Sequence, residues 1–196
     1  MPRKVVLIAT PTSSEVKSQL TEWSALPKYV AQESSLDKLF STFGTNTTLE
    51  DVLIKTSCLN DFYSTNIFSV YDVAVHILSI PDLDLRLRAG DLALVNEIAN
   101  VKRLGKTFYS FASKFCSHHE PDKYPIYDYY VEKMLLYFKG KEKFSKFKKE
   151  ELKDYKCFYK ILKKFTTFYS LTTFTMKEID RYLWMTGRKY FPRKYS

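Results

Sequence analysis

The sequence predicts an all-α fold, a single domain of about eight helices joined by short connections. Apolar residues recur at the spacing of one helix face, as in Phe108, Phe111, Ala112 and Phe115. Helix-starting and helix-ending residues follow one another at short intervals. Only five glycines occur in 196 residues, and neither G-x-G-x-x-G nor G-x-x-x-x-G-K-[ST] is present. This scarcity argues against an all-β fold and against a dinucleotide-binding domain.

The first elements are an N-terminal arm and two helices. Residues 1–12 are expected to form an arm or a short strand around the apolar run Val5–Ala9. A serine at 13 or 14 can cap a helix that reaches about residue 26, where Pro27 is expected to stop it. A second helix is predicted over about 29–43, before Gly44.

Three more helices are predicted before residue 100. Thr48-Leu49-Glu50-Asp51 is an N-terminal capping arrangement for a helix that reaches about Asn60. Residues 68–79 are strongly apolar, and the length of this segment favours a buried helix over a strand. Asp91 can cap the next helix, over about 92–99.

The second half is predicted to continue in the same way. The expected helices are 107–117, 128–138, ended by Gly140, 157–169, and a last one that opens with the capping box Thr175-Met176-Lys177-Glu178 and ends at Gly187. The lysine-rich residues 141–156 form either a basic helix or a pair of loops. Residues 188–196 are expected to form a basic tail.

Basic residues concentrate in this second half. Residues 1–100 carry 8 Lys/Arg and 12 Asp/Glu, residues 101–196 carry 23 and 10, and 24 of the 32 aromatic residues lie after residue 100. Phosphates attract lysines, and exposed bases stack on aromatic rings. The pattern favours a DNA-binding protein, although aromatic rings also build cores and lysine-rich faces are often only solvated.

Composition excludes several other classes. The run Val5–Ala9 is far shorter than the roughly 20 apolar residues of a membrane-spanning helix. No secretory signal is recognisable. The three cysteines are widely spaced, which suits a reducing compartment, and they are too few for a four-cysteine cluster or zinc site. We expect a cytoplasmic protein with no membrane partner, cofactor or metal.

Residues 103–132 combine features that suit chemistry on a sugar–base bond. The turn Leu104-Gly105-Lys106 precedes an aromatic-rich helix, and free N–H groups at a helix start bind phosphate. Tyr124-Pro125-Ile126-Tyr127-Asp128 then sets a carboxylate at the start of another helix. A carboxylate beside a sugar stabilises an oxocarbenium-like cation or orients water. A lysine of lowered pKa attacks the sugar carbon instead.

Gly105-Lys106-Thr107, the following helix and Tyr124–Asp128 resemble the helix-hairpin-helix DNA glycosylases, in particular the 8-oxoguanine glycosylase branch. In that family a hairpin of the type L-P-G-[VI]-G-x-K leads into a helix, and a P-V-D-x-H motif follows. The separation from Gly105 to Pro125 is similar to that of the family. This chain has one hairpin glycine instead of two, one extra residue before the acid, and no histidine two positions after it. The likeness extends loosely over 60–190 through helix order.

The resemblance implies a DNA repair enzyme, a glycosylase that excises a base. It makes Asp128 the catalytic carboxylate and Lys106 the lysine of bifunctional members. Phe111-Ala112-Ser113-Lys114 resembles a segment of small uncharacterised bacterial relatives of this fold, which makes Lys114 a second candidate. The residues expected to contact nucleic acid are Gly105, Lys106, Thr107, Lys141, Lys143, Lys146, Lys148 and Lys149.

Simpler roles exist for the same side chains. Asp128 also suits the N-cap of its helix, and the two roles are compatible. Lys106 is equally a phosphate-contacting or solvated lysine. Lys114 lies near Phe111 and Phe115 in the sequence and can extend from a helix face with its stem packed on apolar neighbours.

The basic stretch 139–149 also has two interpretations. It either follows a DNA backbone or forms an amphipathic helix whose Phe144 and Phe147 pack on the core. Two alternative functions follow: a nucleic-acid-binding module without catalysis, and a protein-interaction domain in which the lysines only aid solubility.

Overall fold

The computed structural model describes residues 7–192, and the all-α prediction is confirmed. The helices within these residues are α1 Ser13–Ser24, α2 Pro27–Thr42, α3 Leu49–Tyr63, α4 Val70–Leu78, α5 Leu83–Ala89, α6 Ala93–Ala99, α7 Tyr109–His119, α8 Tyr129–Glu142, α9 Tyr155–Phe168 and α10 Met176–Tyr190. Two-residue strands, β1 Asn100–Val101 and β2 Lys106–Thr107, pair antiparallel between α6 and α7. Two 3₁₀ turns cover Lys102–Leu104 and Lys149–Lys153.

Side-chain caps explain where several of these helices begin. A cap accepts a hydrogen bond from one of the first-turn N–H groups, which have no partner within the helix. Such caps are Thr12 of α1, Thr48 of α3, Asp128 of α8, Asp154 of α9 and Thr175 of α10. The predicted caps at Thr48 and Thr175 are confirmed.

Proline and glycine positions gave the wrong helix limits. Pro27 does not stop a helix but occupies the first turn of α2, where its missing N–H costs nothing. Gly140 and Gly187 lie inside α8 and α10, which both continue past them. Consequently residues 188–190 belong to α10 rather than to a basic tail, and residues 193–196 lie outside the described residues.

Gly187 is instead a point of close approach between α8 and α10. A Cβ atom at this position would lie 2.7 Å from the Cβ of Tyr130 and 3.1 Å from its backbone oxygen. Real Cβ atoms do not come this close, so the absent side chain lets the two helices pack tightly. This packing holds the start of α8 beside the last turn of α10.

The basic stretch is not a helix of residues 141–156. After α8 ends at Glu142, residues 143–148 run without regular structure into the 3₁₀ turn Lys149–Lys153. Phe144 and Phe147 are nevertheless buried, at 8% and 6% exposure. Both rings are thus buried, as in the amphipathic-helix interpretation, although residues 143–148 form no helix.

Much of the aromatic excess of the second half forms the core. The fully buried large side chains after residue 100 are Phe111, Phe115, Tyr124, Phe138, Tyr155, Phe158, Phe165 and Tyr182. The N-terminal segment joins this core through Ile8, whose N–H donates to the Tyr137 hydroxyl at 2.9 Å. Residues 7–12 are neither helix nor strand, and residues 1–6 of the predicted arm lie outside the described part of the chain.

Within residues 7–192, no helix combines the length and the apolar character that crossing a membrane requires.

Candidate functional site

A cavity of about 990 Å³ lies among the helices of the domain. Its walls come from α1, α2, the end of α3, α7, the start of α8 and α10. Lys114 and Asp128 both line it. The structure therefore brings one predicted carboxylate and one predicted lysine to the same cavity.

Asp128 is held at the start of α8. Its Oδ1 accepts a hydrogen bond from the Val131 N–H at 2.8 Å, and the residue is 9% exposed. The extended backbone of an N-cap residue turns this side chain back over the first turn of the helix. Asp128 therefore caps α8 and also lines the cavity.

Lys114 reaches the cavity from α7. The residue is 5% exposed, and its Nζ donates to the Ser110 hydroxyl at 2.5 Å. The same Nζ lies 5.0 Å from the centre of the Tyr63 ring. An ammonium group over a ring face is attracted by the negative face of the ring. The side chain is therefore positioned on the cavity wall.

Asp180 is another carboxyl group on the wall of this cavity, and it was not among the residues predicted from the sequence. It lies on α10, is 7% exposed, and its Oδ2 accepts the Ile126 N–H at 2.7 Å. Burial raises the pKa of the Asp180 carboxyl well above its usual value, and the nearby Asp128 charge raises it further. The Ile126 hydrogen bond and the Lys114 charge oppose this effect. The available signal was an acidic residue within the apolar face Met176, Ile179 and Leu183 of α10.

Aromatic rings form another part of the cavity wall. The Trp184 ring lies 5.6 Å from Trp23 and 5.0 Å from Tyr29, both in edge-to-face contact. The guanidinium of Arg188 lies 5.0 Å from the Tyr29 ring and 5.2 Å from the Trp184 ring. Indole and phenol rings of this kind offer flat apolar surfaces to a planar ligand. The first two helices, whose role the sequence left open, thus supply part of the site.

Ion pairs fix the same wall. Arg181 pairs with Glu33 at 2.5 Å, and Lys177 pairs with Glu33 at 3.4 Å and Asp37 at 3.1 Å. These contacts join α2 to α10. His118, whose Nδ1 lies 3.4 Å from Oδ1 of Asp37, lowers the pKa of the Asp37 carboxyl to about 2 together with Lys177.

The predicted turn residues lie apart from the carboxylate. Gly105 has a φ of 57°, in the left-handed region that favours glycine, and it ends the 3₁₀ turn between β1 and β2. Lys106 is exposed on β2 and does not line the cavity, whereas Thr107 does. The helix α7 begins only at Tyr109, so Gly105 is not at its first turn. Of the two candidate lysines, Lys114 is the one that shares the cavity with Asp128.

The predicted phosphate-contacting lysines fall into two groups. Lys141 donates to the Ile8 carbonyl at 2.9 Å, and Lys149 pairs with Glu132 at 3.2 Å. The other three are exposed and line a second, shallower concavity of about 510 Å³ with Lys139. These three are Lys143, Lys146 and Lys148.

No three His, Cys, Asp or Glu side chains of residues 7–192 are placed to hold a metal ion.

Comparisons with known proteins give a family and a relative. Residues 15–123 match the family HI_0787_N, which is described as an N-terminal domain. An uncharacterized protein of Haemophilus influenzae (strain Rd) is 44% identical over 184 residues, which is 93% of this chain and 85% of that protein. No solved structure matches. The family match contains Lys114 and ends before Asp128 and Asp180.

Proposed function

The chain belongs to the HI_0787_N family, and we propose that it excises a base from DNA, with Lys114 as nucleophile and Asp128 as the assisting carboxylate. One observation carries this proposal: both side chains line the same cavity of about 990 Å³. A large cavity with aromatic walls suits a base that has been turned out of the DNA stack. The helix-hairpin-helix glycosylases, which the sequence resembles, use the same two residue types.

The proposed reaction begins at C1′ of the sugar. The amine form of Lys114 attacks C1′, and the base leaves with the electrons of the N-glycosidic bond and the proton that the amine sheds. The Asp128 carboxylate stabilises the positive charge that develops on the sugar. O4′ then leaves C1′ with its bonding electrons and takes a proton from solvent, which produces a protonated Schiff base on Lys114.

The cavity mouth supplies positive charge for the DNA backbone. Arg188 is exposed beside the Tyr29 and Trp184 rings, and Lys153 is exposed over the Tyr127 ring at 4.4 Å. Both belong to the residues that line the cavity. Cations at the rim attract phosphates without entering the space that a base would fill.

The test is reductive trapping of the Schiff base. Duplex oligonucleotides with 8-oxoguanine, uracil, hypoxanthine or an abasic site are incubated with the protein and sodium borohydride, and the covalent adduct is detected on a denaturing gel. Wild type and Lys106→Gln should form the adduct on at least one substrate, and Lys114→Gln should not. Asp128→Asn should slow release of the base by about 100-fold.

Two results would contradict this assignment. One is adduct formation by Lys114→Gln at the wild-type level. The other is the absence of both adduct and base release on all these substrates while the protein still binds the DNA. Lys106→Gln is the matched control because it removes one positive charge from the same hairpin–helix unit without touching the cavity.

A second candidate function is DNA binding without catalysis. It is favoured by the second concavity, whose lysines 139, 143, 146 and 148 do not line the Lys114 cavity. This function predicts binding that weakens steeply with salt, with no adduct and no released base. Replacing Lys143, Lys146 and Lys148 together by Gln should then remove most of the salt dependence.

A further inference from the structure

The Asp180 carboxyl has one oxygen engaged and one without a partner. Its Oδ2 accepts the Ile126 N–H, whereas Oδ1 is buried and has no hydrogen bond with any residue the structure describes. Burying a polar group without a partner costs free energy, so such atoms call for an explanation. In this residue the unpartnered atom belongs to a side chain that lines the cavity.

The cavity wall contains further atoms of this kind. Tyr109 Oη and Arg181 Nε are also buried without a hydrogen-bond partner among the described residues, and both residues line the same cavity. Apolar cavities lack such groups, and ligand sites place a few polar groups among aromatic ones. The wall is therefore suited to a ligand that carries both flat apolar surface and hydrogen-bonding atoms.

The protonation state of Asp180 decides which bond it makes. Burial and the Asp128 charge raise its pKa, which favours the protonated acid over the carboxylate. Because Oδ2 already accepts from Ile126, the proton belongs on Oδ1. A carboxylic acid in this state donates a hydrogen bond, as an ionised carboxylate never does.

We propose that Asp180 contacts the extruded base directly, donating a hydrogen bond from its carboxylic acid group to an acceptor atom of the base. The inference rests on the proposed function, since it names the group that recognises the base in that cavity. Asp128 and Asp180 then have different tasks: the first faces the cationic sugar, and the second selects a base with a carbonyl oxygen or ring nitrogen in reach. Neighbouring carboxyls in different surroundings commonly divide their roles in this way.

The test compares binding of duplexes that differ at one central residue. That residue is guanine, 8-oxoguanine, hypoxanthine or uracil on a 2′-fluoro sugar, which slows loss of the base, or the abasic analogue tetrahydrofuran. The dissociation constants are measured for wild type, Asp180→Asn and Asp180→Leu. Asparagine still satisfies Ile126 through its oxygen and donates through its amide, so it is the isosteric control for the neutral acid. Leucine has a similar size and does neither.

Wild type should bind at least one base-containing duplex about tenfold more tightly than the tetrahydrofuran duplex. Asp180→Asn should retain this preference within about threefold, and Asp180→Leu should lose it while binding the tetrahydrofuran duplex as wild type does. Loss of the preference in Asp180→Asn overturns the inference, even if the leucine variant folds poorly, because asparagine preserves the Ile126 contact.

The failure of the inference differs from the failure of the proposed function. If wild type binds every duplex with equal affinity, DNA binding stands and base recognition by Asp180 is wrong. If wild type binds none of them, the proposed function fails and the inference fails with it. Infrared spectroscopy adds a readout without DNA: the C=O stretch of a protonated carboxyl should be present in wild type at neutral pH and absent in Asp180→Asn. Its absence from wild type overturns the donor role.

Discussion

Two lysines are buried among residues 7–192, and their surroundings differ. Lys55 of α3 is 0% exposed and Lys114 of α7 is 5% exposed. Both ammonium groups also lie near aromatic rings, at 5.6 Å from the Phe40 ring for Lys55 and 5.0 Å from the Tyr63 ring for Lys114. By burial and ring contact alone the two are alike, so neither property identifies a functional lysine.

The difference is in where the ammonium hydrogen bonds go. Lys55 Nζ donates to Phe43 O at 2.9 Å, Thr45 O at 2.8 Å and Asn46 Oδ1 at 2.7 Å. These three bonds use all its protons and satisfy carbonyls at the end of α2. Burial lowers the pKa of Lys55 to about 8, while Asp84 and Asp51 oppose this effect. The lysine is therefore mostly charged at neutral pH and its role is structural.

Lys114 instead lies on a wall of the cavity that also contains Asp128 and Asp180. Its Nζ donates hydrogen bonds to the hydroxyl and the backbone carbonyl of Ser110, on the same helix. Water or a ligand in the cavity can replace such contacts at small cost. A buried lysine with a fixed set of distant acceptors holds the fold, whereas one beside a cavity is placed for chemistry.

The largest effect should come from removing the structural lysine. Lys55→Met leaves two backbone carbonyls and the Asn46 side chain without their donor, and we expect a loss of about 3 kcal/mol in the free energy of unfolding. Lys114→Met should cost less, about 1 kcal/mol, because the Ser110 hydroxyl and carbonyl that it releases lie beside the cavity, where water can replace the ammonium group. Urea denaturation of both variants measures the difference.

Equal destabilisation by the two variants would break the comparison. It would mean that Lys114 is as much a part of the folded core as Lys55. The two variants should differ in the opposite way in activity. Lys114→Met should abolish Schiff-base trapping, whereas Lys55→Met, assayed below its melting temperature, should retain it.

Most of the fold was predictable because helix signals are local. Thr48 and Thr175 act on N–H groups within three residues, and the sequence shows those partners directly. Gly187 and Pro27 were misinterpreted because the same residue type serves two purposes. A glycine that ends a helix and a glycine that admits a neighbouring helix look identical until Tyr130 is placed beside it.

The site was predictable only in part, for a similar reason. Asp128 and Lys114 lie in the segment that carries the family resemblance. Choosing between Lys106 and Lys114 required their orientation, since one lies on an exposed strand and the other on a buried helix face. Asp180 and Trp23 come from opposite ends of the chain, and only tertiary packing brings them to the same cavity.

The second-largest effect concerns the packing of α8 against α10, two of the helices that line the cavity containing Lys114. In Gly187→Ala the new Cβ overlaps Tyr130, so α10 has to move from α8, and we expect a loss of about 2 kcal/mol. Gly140→Ala is the matched control, because nothing lies within 4 Å of its Cβ position. It should be neutral or stabilising by about 0.5 kcal/mol. Wild-type stability of Gly187→Ala, by urea denaturation, would show that the two helices do not pack this closely.

The smallest effect concerns the pH dependence of stability that arises from His119, which is linked to Lys55 through Asn46. The Asn46 side-chain oxygen accepts a hydrogen bond from Lys55, and its NH2 group donates to Asp84 and to Nε2 of His119. Because Nε2 of His119 accepts this bond, the imidazole is neutral. Burial, with the Lys55 charge, lowers the pKa of His119 to about 3. In the unfolded chain His119 takes up a proton below about pH 6.5, whereas in the folded protein it stays neutral until much lower pH. The free energy of unfolding is therefore unaffected by His119 above pH 6.5 and decreases as the pH falls from 6.5 towards 3.

The contribution of His119 should make the free energy of unfolding of the wild-type protein about 1 kcal/mol lower at pH 5.5 than at pH 7.5. His119→Gln keeps an acceptor for Asn46 but cannot titrate, so its unfolding free energy should lose this part of the pH dependence. Urea denaturation at both pH values compares the two proteins. If the pH dependence of His119→Gln equals that of wild type, His119 takes up its proton over the same pH range in the folded and unfolded states. At pH 5.5 a second cation would then lie beside Lys55. The charges of Asp84 and Asp51 would then have to offset two cations instead of Lys55 alone, and the structural role assigned to that lysine would have to be revised.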